Sequence, residues 1–243
     1  MVKSKEILKG KFEKKFLLFV YLPVIFGQFL MCLLIAYLFY PPQYQYNWLN
    51  SMISRLGWPD QNPIGFIFFS IGFSILGFFL LLLVPYTYKR LKPIHKLKAS
   101  VSVLLMVLYS VALFLIGSVP NYLIDLFMRI HGINAVIIFL GFYLNSILFA
   151  TFLCDLKQNE EALFRNVNRA AIVMFVVLLV YGFLTAILLV ATLPEEGLGG
   201  HYTQDPSIPF YLSPTFYEWQ SFMCILPLIY VQTLIISHLK AEE

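Results

Sequence analysis

Charged side chains are scarce in this sequence. Asp, Glu, Lys and Arg together make up 12% of its 243 residues, while 60% of the residues are hydrophobic and the mean hydropathy is +0.79. A soluble domain of this length has about 25% charged residues and roughly 45–50% apolar ones. One water-soluble core cannot bury so much apolar surface. The composition therefore excludes an ordinary soluble protein and indicates a chain embedded in lipid.

Cysteine and histidine are also few, and they form no ligand pattern. The three cysteines make no Cys-x-x-Cys pair, and each lies in or at the end of an apolar segment, where cysteine is usually a small packing residue. The sequence has no His-x-x-x-His pair, the spacing that puts two metal ligands of membrane hydrolases one helical turn apart. It also has no P-loop, which argues against a nucleotide-driven mechanism. We therefore expect no metal and no other cofactor. The cysteines are Cys32, Cys154 and Cys224.

Six apolar runs are long enough to cross a bilayer, since a spanning helix needs about 20 mostly apolar residues. None of them has Lys or Arg in its interior, and the short linkers leave no room for a soluble domain. The sequence therefore predicts an all-α, polytopic membrane protein, in which residues 1–243 form a single six-helix transmembrane domain. The predicted spans are Phe16–Phe39, Ile64–Tyr86, Ala99–Val119, Ile130–Leu153, Ala170–Leu193 and Phe216–Ile236.

The basic residues predict the orientation of these spans. In a six-span arrangement, fifteen of the seventeen Lys and Arg residues fall on one side, and only Arg55 and Arg129 fall on the other. Basic loops stay on the cytoplasmic side, so we expect both termini to be cytoplasmic. No aromatic interleaving accompanies the basic residues, and we expect no nucleic-acid partner. Six acidic residues share the non-cytoplasmic side with the two arginines: Asp60, Asp125, Glu195, Glu196, Asp205 and Glu218.

The first non-cytoplasmic loop, Tyr40–Pro63, is rich in aromatic and amide side chains. Tyr and Trp favour the lipid–water boundary because one end of each ring is apolar and the other is polar. Residues Asn50–Leu56 are predicted to form a short helix in that interface. Gly57, Pro59 and Pro63 would end this helix before the second span begins.

Polar residues recur along one stripe of the fourth span, at 100° per residue. His131, Asn134, Gly141 and Asn145 lie on this stripe. Just before it, Asp125 and Arg129 have the i,i+4 spacing of an ion pair on one helical face. Similar polar positions occur in the sixth span (Glu218, Ser221 and Gln232) and in the second span (Ser70, Ser74 and Gly77).

These stripes predict that the second, fourth and sixth spans pack around a common interior, because polar groups avoid lipid tails. We interpret the deeper uncharged residues as interhelical contacts, and we expect His131 to lie near Glu218. Glu218 is expected in the first turn of its span, hydrogen-bonded to His131 or Arg55. The candidate ligand-binding residues are Arg55, Asp125, Arg129, His131, Asn134 and Glu218.

Three short motifs resemble the DRAM superfamily, which comprises damage-regulated autophagy modulators, prokaryotic relatives of unknown function and GPI-anchor-maturation proteins. The run Asn50–Gly77 resembles the first-loop signature of that group, although Arg55 stands where an Asp is usual. Residues 116–121 (IGSVPN) followed by His131, and the pair Glu218–Trp219, resemble two further motifs. The resemblance implies a six-helix fold and a lipid-associated or membrane-organising role, and it brings no settled reaction. Ile53, Ser54, Gly57, Pro59 and Phe66 match the first motif.

A non-enzymatic protein that binds or organises lipid is the function we favour. In this hypothesis Arg55, Arg129 and His131 donate to an anionic headgroup, since a guanidinium matches phosphate oxygens in pairs. One alternative is an intramembrane lipid hydrolase, and a second is a small-solute transporter or channel. We expect the cell membrane if the protein is prokaryotic, and an endomembrane or the plasma membrane if it is eukaryotic. The hydrolase would use His131 and His201 with the carboxylates Asp60, Asp125 and Glu218.

Overall fold

The computed structural model describes residues 10–44, 46–48, 51–118, 124–159, 169–192 and 209–239, with only the backbone described for 124–130 and 158–159. Every long element in these ranges is a helix, and they contain no strand. Six helices are long and apolar enough to cross a membrane, which confirms the predicted fold class of a multi-pass helical bundle. They are α1 (Lys14–Leu38), α2 (Gly65–Leu91), α3 (Lys96–Ser118), α4 (Ile124–Asn159), α5 (Arg169–Thr192) and α6 (Pro214–Ile236).

The two ends of the bundle carry different parts of the chain. At one end, which we call the terminal end, Lys14 Nζ lies 2.8 Å from His238 Nε2 and so joins the two ends of the described chain. The opposite end carries residues 40–63 (loop 1) and residues 209–213, and we call it the loop-1 end. Basic residues concentrate at the terminal end, for example Lys89 and Arg90 at the end of α2. The terminal end is therefore the one predicted to be cytoplasmic.

Helix boundaries differ from the predicted spans by a few residues for local reasons. α2 continues past Pro85 to Leu91, so its last turns carry Lys89 and Arg90 beyond the apolar run. In α1 a π-helical turn over Leu17–Tyr21 precedes Pro23. Proline has no N–H to donate into the preceding turn, and such wide turns occur where the regular hydrogen-bond ladder is interrupted.

The core at the loop-1 half of the bundle is aromatic. The rings of Phe29 in α1, Phe73 in α2 and Phe222 in α6 have centroids 5.1–5.6 Å apart. Phe139 in α4 joins them, with its ring centroid 6.5 Å from that of Phe222. Offset and edge-to-face ring pairs at these distances stabilise a core beyond the area that they bury. The second, fourth and sixth spans thus meet in one interior, as predicted, but they meet through these rings. The polar stripe of α2 packs against α3 instead, where Ser74 Oγ lies 3.1 Å from Ser118 Oγ.

Small and polar residues make the closest helix contacts. A Cβ atom on Gly77 of α2 would lie 2.5 Å from the backbone N of Phe114 in α3, so glycine is needed for this approach. Deeper in the bundle, Ser102 Oγ donates to Asn145 Oδ1 at 2.6 Å, and Gln232 Nε2 donates to Ser146 Oγ at 2.8 Å. These pairs confirm the interpretation of Asn145 and Gln232 as interhelical contacts.

Loop 1 contains the predicted short helix, displaced along the chain. It is a 3₁₀ helix over Ile53–Gly57. The fully buried Asn62 connects it to two spans, because its Nδ2 donates to the carbonyls of Ala36 and Leu56 at 3.0 and 2.9 Å. Asn62 Oδ1 accepts from the N–H of Gly65, the first residue of α2. One side chain therefore fixes loop 1 against the end of α1 and the start of α2.

Candidate functional site

A small cavity at the loop-1 end brings two of the candidate residues together. His131 of α4 and Glu218 of α6 both line it, together with Ser54 of loop 1 and the rings of Phe73 and Phe139. The expected proximity of His131 and Glu218 is therefore observed. The cavity has a volume of about 30 Å³, which is about the room that one water molecule takes in the liquid. It is too small to hold a lipid phosphate.

Glu218 binds the loop backbone. Its Oε2 accepts a hydrogen bond from the N–H of Ile53 at 2.9 Å, and Ser54 contributes further hydrogen bonds to the same carboxylate. We expected His131 or Arg55 as its partner and the first helical turn as its position. The helix begins at Pro214, with Ser213 Oγ accepting from the Phe216 N–H, so Glu218 is already the fifth helical residue. A partly buried carboxylate so placed anchors a loop.

Two aromatic residues strengthen the same connection. The indole N–H of Trp219 donates to the carbonyl of Ser51 at 3.1 Å, and the hydroxyl of Tyr46 donates to the carbonyl of Met52 at 3.2 Å. Burial, together with the nearby Glu218 carboxylate, raises the pKa of Tyr46 well above its ordinary value. The Tyr46 phenol therefore stays protonated and remains a donor.

Arg55 belongs to a separate network within loop 1. Its Nε and Nη2 donate to Gln61 Oε1 at 3.2 and 2.9 Å, and its Nη1 donates to Ser51 Oγ at 3.2 Å. The hydroxyl of Tyr40 donates to the same Gln61 oxygen at 2.8 Å. Burial raises the pKa of Tyr40, and the neighbouring guanidinium opposes this rise. Arg55 is not among the residues that line the cavity of His131 and Glu218.

Three of the remaining candidates, Asp125, Arg129 and Asn134, lie along α4. Arg129 and Asp125 lie in the stretch described by backbone alone, and Asp60 is exposed in loop 1, while His201 lies outside the described residues. Asn134 is buried, and its Nδ2 has no hydrogen-bond partner among the described residues. Two residues correspond to about 200° on a helix, so Arg129 and His131 occupy nearly opposite faces of α4. Of the predicted cluster, Arg55 and His131 thus lie in different networks, and the position of the Arg129 side chain stays a prediction.

The structure also has a much larger, open cavity, a groove that was not predicted from the sequence. It lies between α4 and α5, has a volume of about 450 Å³ and is lined almost wholly by apolar atoms. Its walls include Val136 and Leu140 of α4 and Ala186 and Val190 of α5. Val136, Leu140 and Val190 are exposed, so the groove opens on the surface that faces lipid.

One ring separates this groove from the polar cavity. Phe139 lines both of them. α4 and α5 contact each other on the terminal side of the groove, where the ring centroids of Phe149 and Phe175 are 5.3 Å apart. α5 is also the least buried of the six spans, because only 28% of the residues in its most apolar stretch are buried. The sequence of α5 is uniformly apolar and gives no indication of the residue at which α5 separates from α4.

The part of the chain that the structure describes contains no group of three His, Cys, Asp or Glu side chains that could hold a metal ion. The three cysteines are free, with Cys32 and Cys224 buried and Cys154 exposed. Cys32 and Cys224 are thus packing residues, as their apolar surroundings predicted.

A family model described as a protein of unknown function, DUF998, matches residues 23–201. The match covers well over half of the chain, and the protein belongs to this family. It includes Arg55, Arg129 and His131 but ends before α6 and Glu218. Comparisons with curated proteins and with solved structures give no significant match.

Proposed function

We propose that this protein binds a membrane lipid with an anionic headgroup, and that the acyl chain lies in the groove between α4 and α5. The observation that carries the proposal is the apolar groove itself, which opens on the lipid-facing surface below the position of Arg129. The proposed role is to bind or organise lipid, without catalysis.

The groove has the size and chemistry of an acyl-chain site. Its volume of about 450 Å³ is roughly fifteen times that of a water molecule in the liquid, and it falls in the range of small-molecule sites. Its walls are apolar, and both helices present exposed aliphatic side chains at its rim. Space between helices in a bilayer loses dispersion contacts unless a lipid fills it. An acyl chain is the occupant that the surroundings supply.

The register of α4 supports a headgroup site above this groove. Arg129 precedes Val136 by seven residues, which is about two helical turns, or roughly 10 Å along the axis. Residues seven apart share a helix face, so Arg129 is on the face that forms the groove. Asp125 is one turn further towards the loop-1 end on that face. The neighbouring helix α5 ends at Thr192, just after the groove residues Val190 and Ala191.

An anionic headgroup suits this position because a guanidinium binds phosphate oxygens in a forked geometry. Asp125 has the i,i+4 spacing to orient Arg129. In this proposal His131, Asn134 and Glu218 lie on the other side of Phe139 from the groove and stabilise the site. Arg55 orders loop 1. The resemblance to the DRAM superfamily agrees with a lipid-associated role and stays a prediction, as does the choice of membrane.

The test uses full-length protein reconstituted with a phosphatidylglycerol that carries a photoactivatable group in its acyl chain. We expect crosslinks to map to residues 136–144 and 183–191. Val190→Trp, which fills the groove, should reduce crosslinking severalfold. The matched control is Val177→Trp, since Val177 is on the same helix, is 60% exposed compared with 70% for Val190, and does not line the groove. Equal crosslinking of both variants would show that the acyl chain does not occupy the groove.

A second pair of variants tests the headgroup. Arg129→Ala should weaken phosphatidylglycerol binding by about 1.5–3 kcal/mol, the contribution of a charged hydrogen bond. Arg55→Ala should leave this binding unchanged, because Arg55 is held within loop 1. If Arg55→Ala weakens binding as much as Arg129→Ala does, the headgroup does not lie above the α4–α5 groove.

A further inference from the structure

A second pocket at the loop-1 end is formed by α1, loop 1 and α6, away from the α4–α5 groove. Its volume is about 300 Å³. Four of its lining residues are aromatic: Tyr37 of α1, Tyr46 and Trp48 of loop 1, and Trp219 of α6. Its walls contain no Lys, Arg, Asp or Glu side chain among the described residues.

Two of these rings differ from ordinary interfacial aromatics. Interfacial Tyr and Trp residues keep their polar atoms in water and their rings in lipid. In this pocket the polar atoms of Tyr46 and Trp219 donate to the carbonyls of Met52 and Ser51 instead. The rings are therefore fixed by the protein. The ring of Tyr37 contacts that of Tyr46 in a T-shaped pair with centroids 5.9 Å apart.

The rest of the pocket is aliphatic and descends into the bundle. Leu30, Leu33 and Leu34 have the helical spacing that puts them on the same face of α1 as Tyr37, and Met223 is one turn below Trp219 on α6. Leu30 and Leu34 are exposed to lipid. The pocket thus has an aromatic part at the level of loop 1 and an apolar part at the level of the acyl chains.

We propose that this pocket binds a phospholipid with an ammonium headgroup, whose cation lies against the rings of Tyr37, Tyr46, Trp48 and Trp219. Aromatic faces attract ammonium groups electrostatically, and sets of several aromatic rings are a recurring way to bind quaternary ammonium ligands. The aliphatic wall below the rings accommodates the upper part of the acyl chains.

The lining of the pocket is compatible with a cation. No basic side chain is among its described lining residues, so none repels an ammonium group there. Two charged side chains of this end are engaged elsewhere, since Glu218 bonds to Ile53 and Arg55 bonds to Gln61. Neither side chain lines the pocket.

The test compares a short-chain phosphatidylcholine with an analogue in which a neutral tert-butyl group replaces the trimethylammonium group, so that the phosphate is kept and the cation is lost. The full chain is studied in neutral-detergent micelles with Trp58 replaced by Phe, so that Trp48 and Trp219 give the whole tryptophan fluorescence. We expect saturable binding of phosphatidylcholine and about tenfold weaker binding of the analogue that lacks the cation, as cation–π contacts predict. Equal affinity for the two lipids, or no saturable signal, would overturn the proposal.

A matched pair of tyrosines controls for general effects at the interface. Tyr37 and Tyr44 are 41% and 42% exposed, and Tyr37 lines the pocket whereas Tyr44 does not. Tyr37→Leu should reduce the preference for the ammonium lipid severalfold, while Tyr44→Leu should leave it unchanged. Equal loss in both variants would contradict the site. The result is independent of the α4–α5 groove, because Arg129→Ala should not alter it.

Discussion

The carboxylate of Glu218 and the backbone N–H of Ile53 are joined by a hydrogen bond of 2.9 Å across 165 positions of sequence. The contact ties the sixth span to the 3₁₀ helix of loop 1. Both groups lie at a closed, aromatic end of the bundle, where an unsatisfied polar atom costs more free energy than it does in water. Loop 1 is therefore an integral wall of the bundle at this end.

Replacing Glu218 should loosen that wall. Glu218→Ala leaves the Ile53 N–H without its acceptor and should lower the free energy of unfolding by about 1–3 kcal/mol. Glu218→Gln keeps an amide oxygen at the position and should have a smaller effect. Hydrogen exchange of the peptide covering residues 51–57, measured by mass spectrometry, should rise in the order wild type, Gln, Ala.

A neighbour on the same helix provides the control for that experiment. Gln220 accepts its hydrogen bond from the hydroxyl of Tyr181 on α5, at 2.9 Å. Gln220→Ala should therefore leave exchange at residues 51–57 unchanged. Unchanged exchange in Glu218→Ala as well would mean that loop 1 is held mainly by Asn62 and Trp219.

Arg55 should matter for the order of loop 1. Three donors from Arg55 and Tyr40 converge on Gln61 Oε1, and lysine cannot reproduce a forked contact. Because Arg55 is half-buried, we expect both Arg55→Ala and Arg55→Lys to destabilise the protein by about 1 kcal/mol. Thermal unfolding in detergent measures this. Arg169→Ala, an exposed arginine at the other end of the bundle, should have no measurable effect, and an equal shift would exclude a specific role for Arg55.

The orientation of the bundle is predicted by its basic residues and can be tested by labelling. In a chain with its three cysteines changed to Ala, Gln43→Cys reports the loop-1 end and Lys96→Cys reports the terminal end. Both positions are exposed. A membrane-impermeant maleimide added to right-side-out spheroplasts should label position 43 at once and position 96 only after permeabilisation. Labelling of position 96 first would reverse the topology.

Much of the fold follows from sequence because each long span carries its own signal. Twenty or more apolar residues must form a helix in lipid, where no water satisfies the backbone. The polar stripe of α4 was equally informative. It predicted that His131 approaches Glu218, and it gave Asn145 an interhelical role that the hydrogen bond to Ser102 confirms.

The partners of the charged residues could not be predicted in the same way. Glu218 binds a backbone N–H, which every residue except proline has, so no side chain identifies Ile53 as the partner. Arg55 selects Gln61 from a loop that is rich in amides. The groove between α4 and α5 depends on where two apolar helices separate, and exposed and buried leucines are identical in sequence. The sequence thus identified the polar end of the protein but not the partner that each charged residue contacts there.

Glycine at position 77 should be required for the contact between α2 and α3. A Cβ atom there would lie 2.5 Å from the Phe114 N and the Ser110 O, and backbone atoms cannot move aside as a flexible side chain can. We expect Gly77→Ala to lower the free energy of unfolding by about 1–3 kcal/mol, because the helices must separate. A Cβ atom on Gly27 in α1 would meet no neighbouring group within 4 Å, so Gly27→Ala should be neutral or raise stability by up to about 1 kcal/mol through helix propensity. Thermal unfolding of the two variants in the same detergent separates the effects. If both alanines change stability equally, close packing is not what holds α2 against α3.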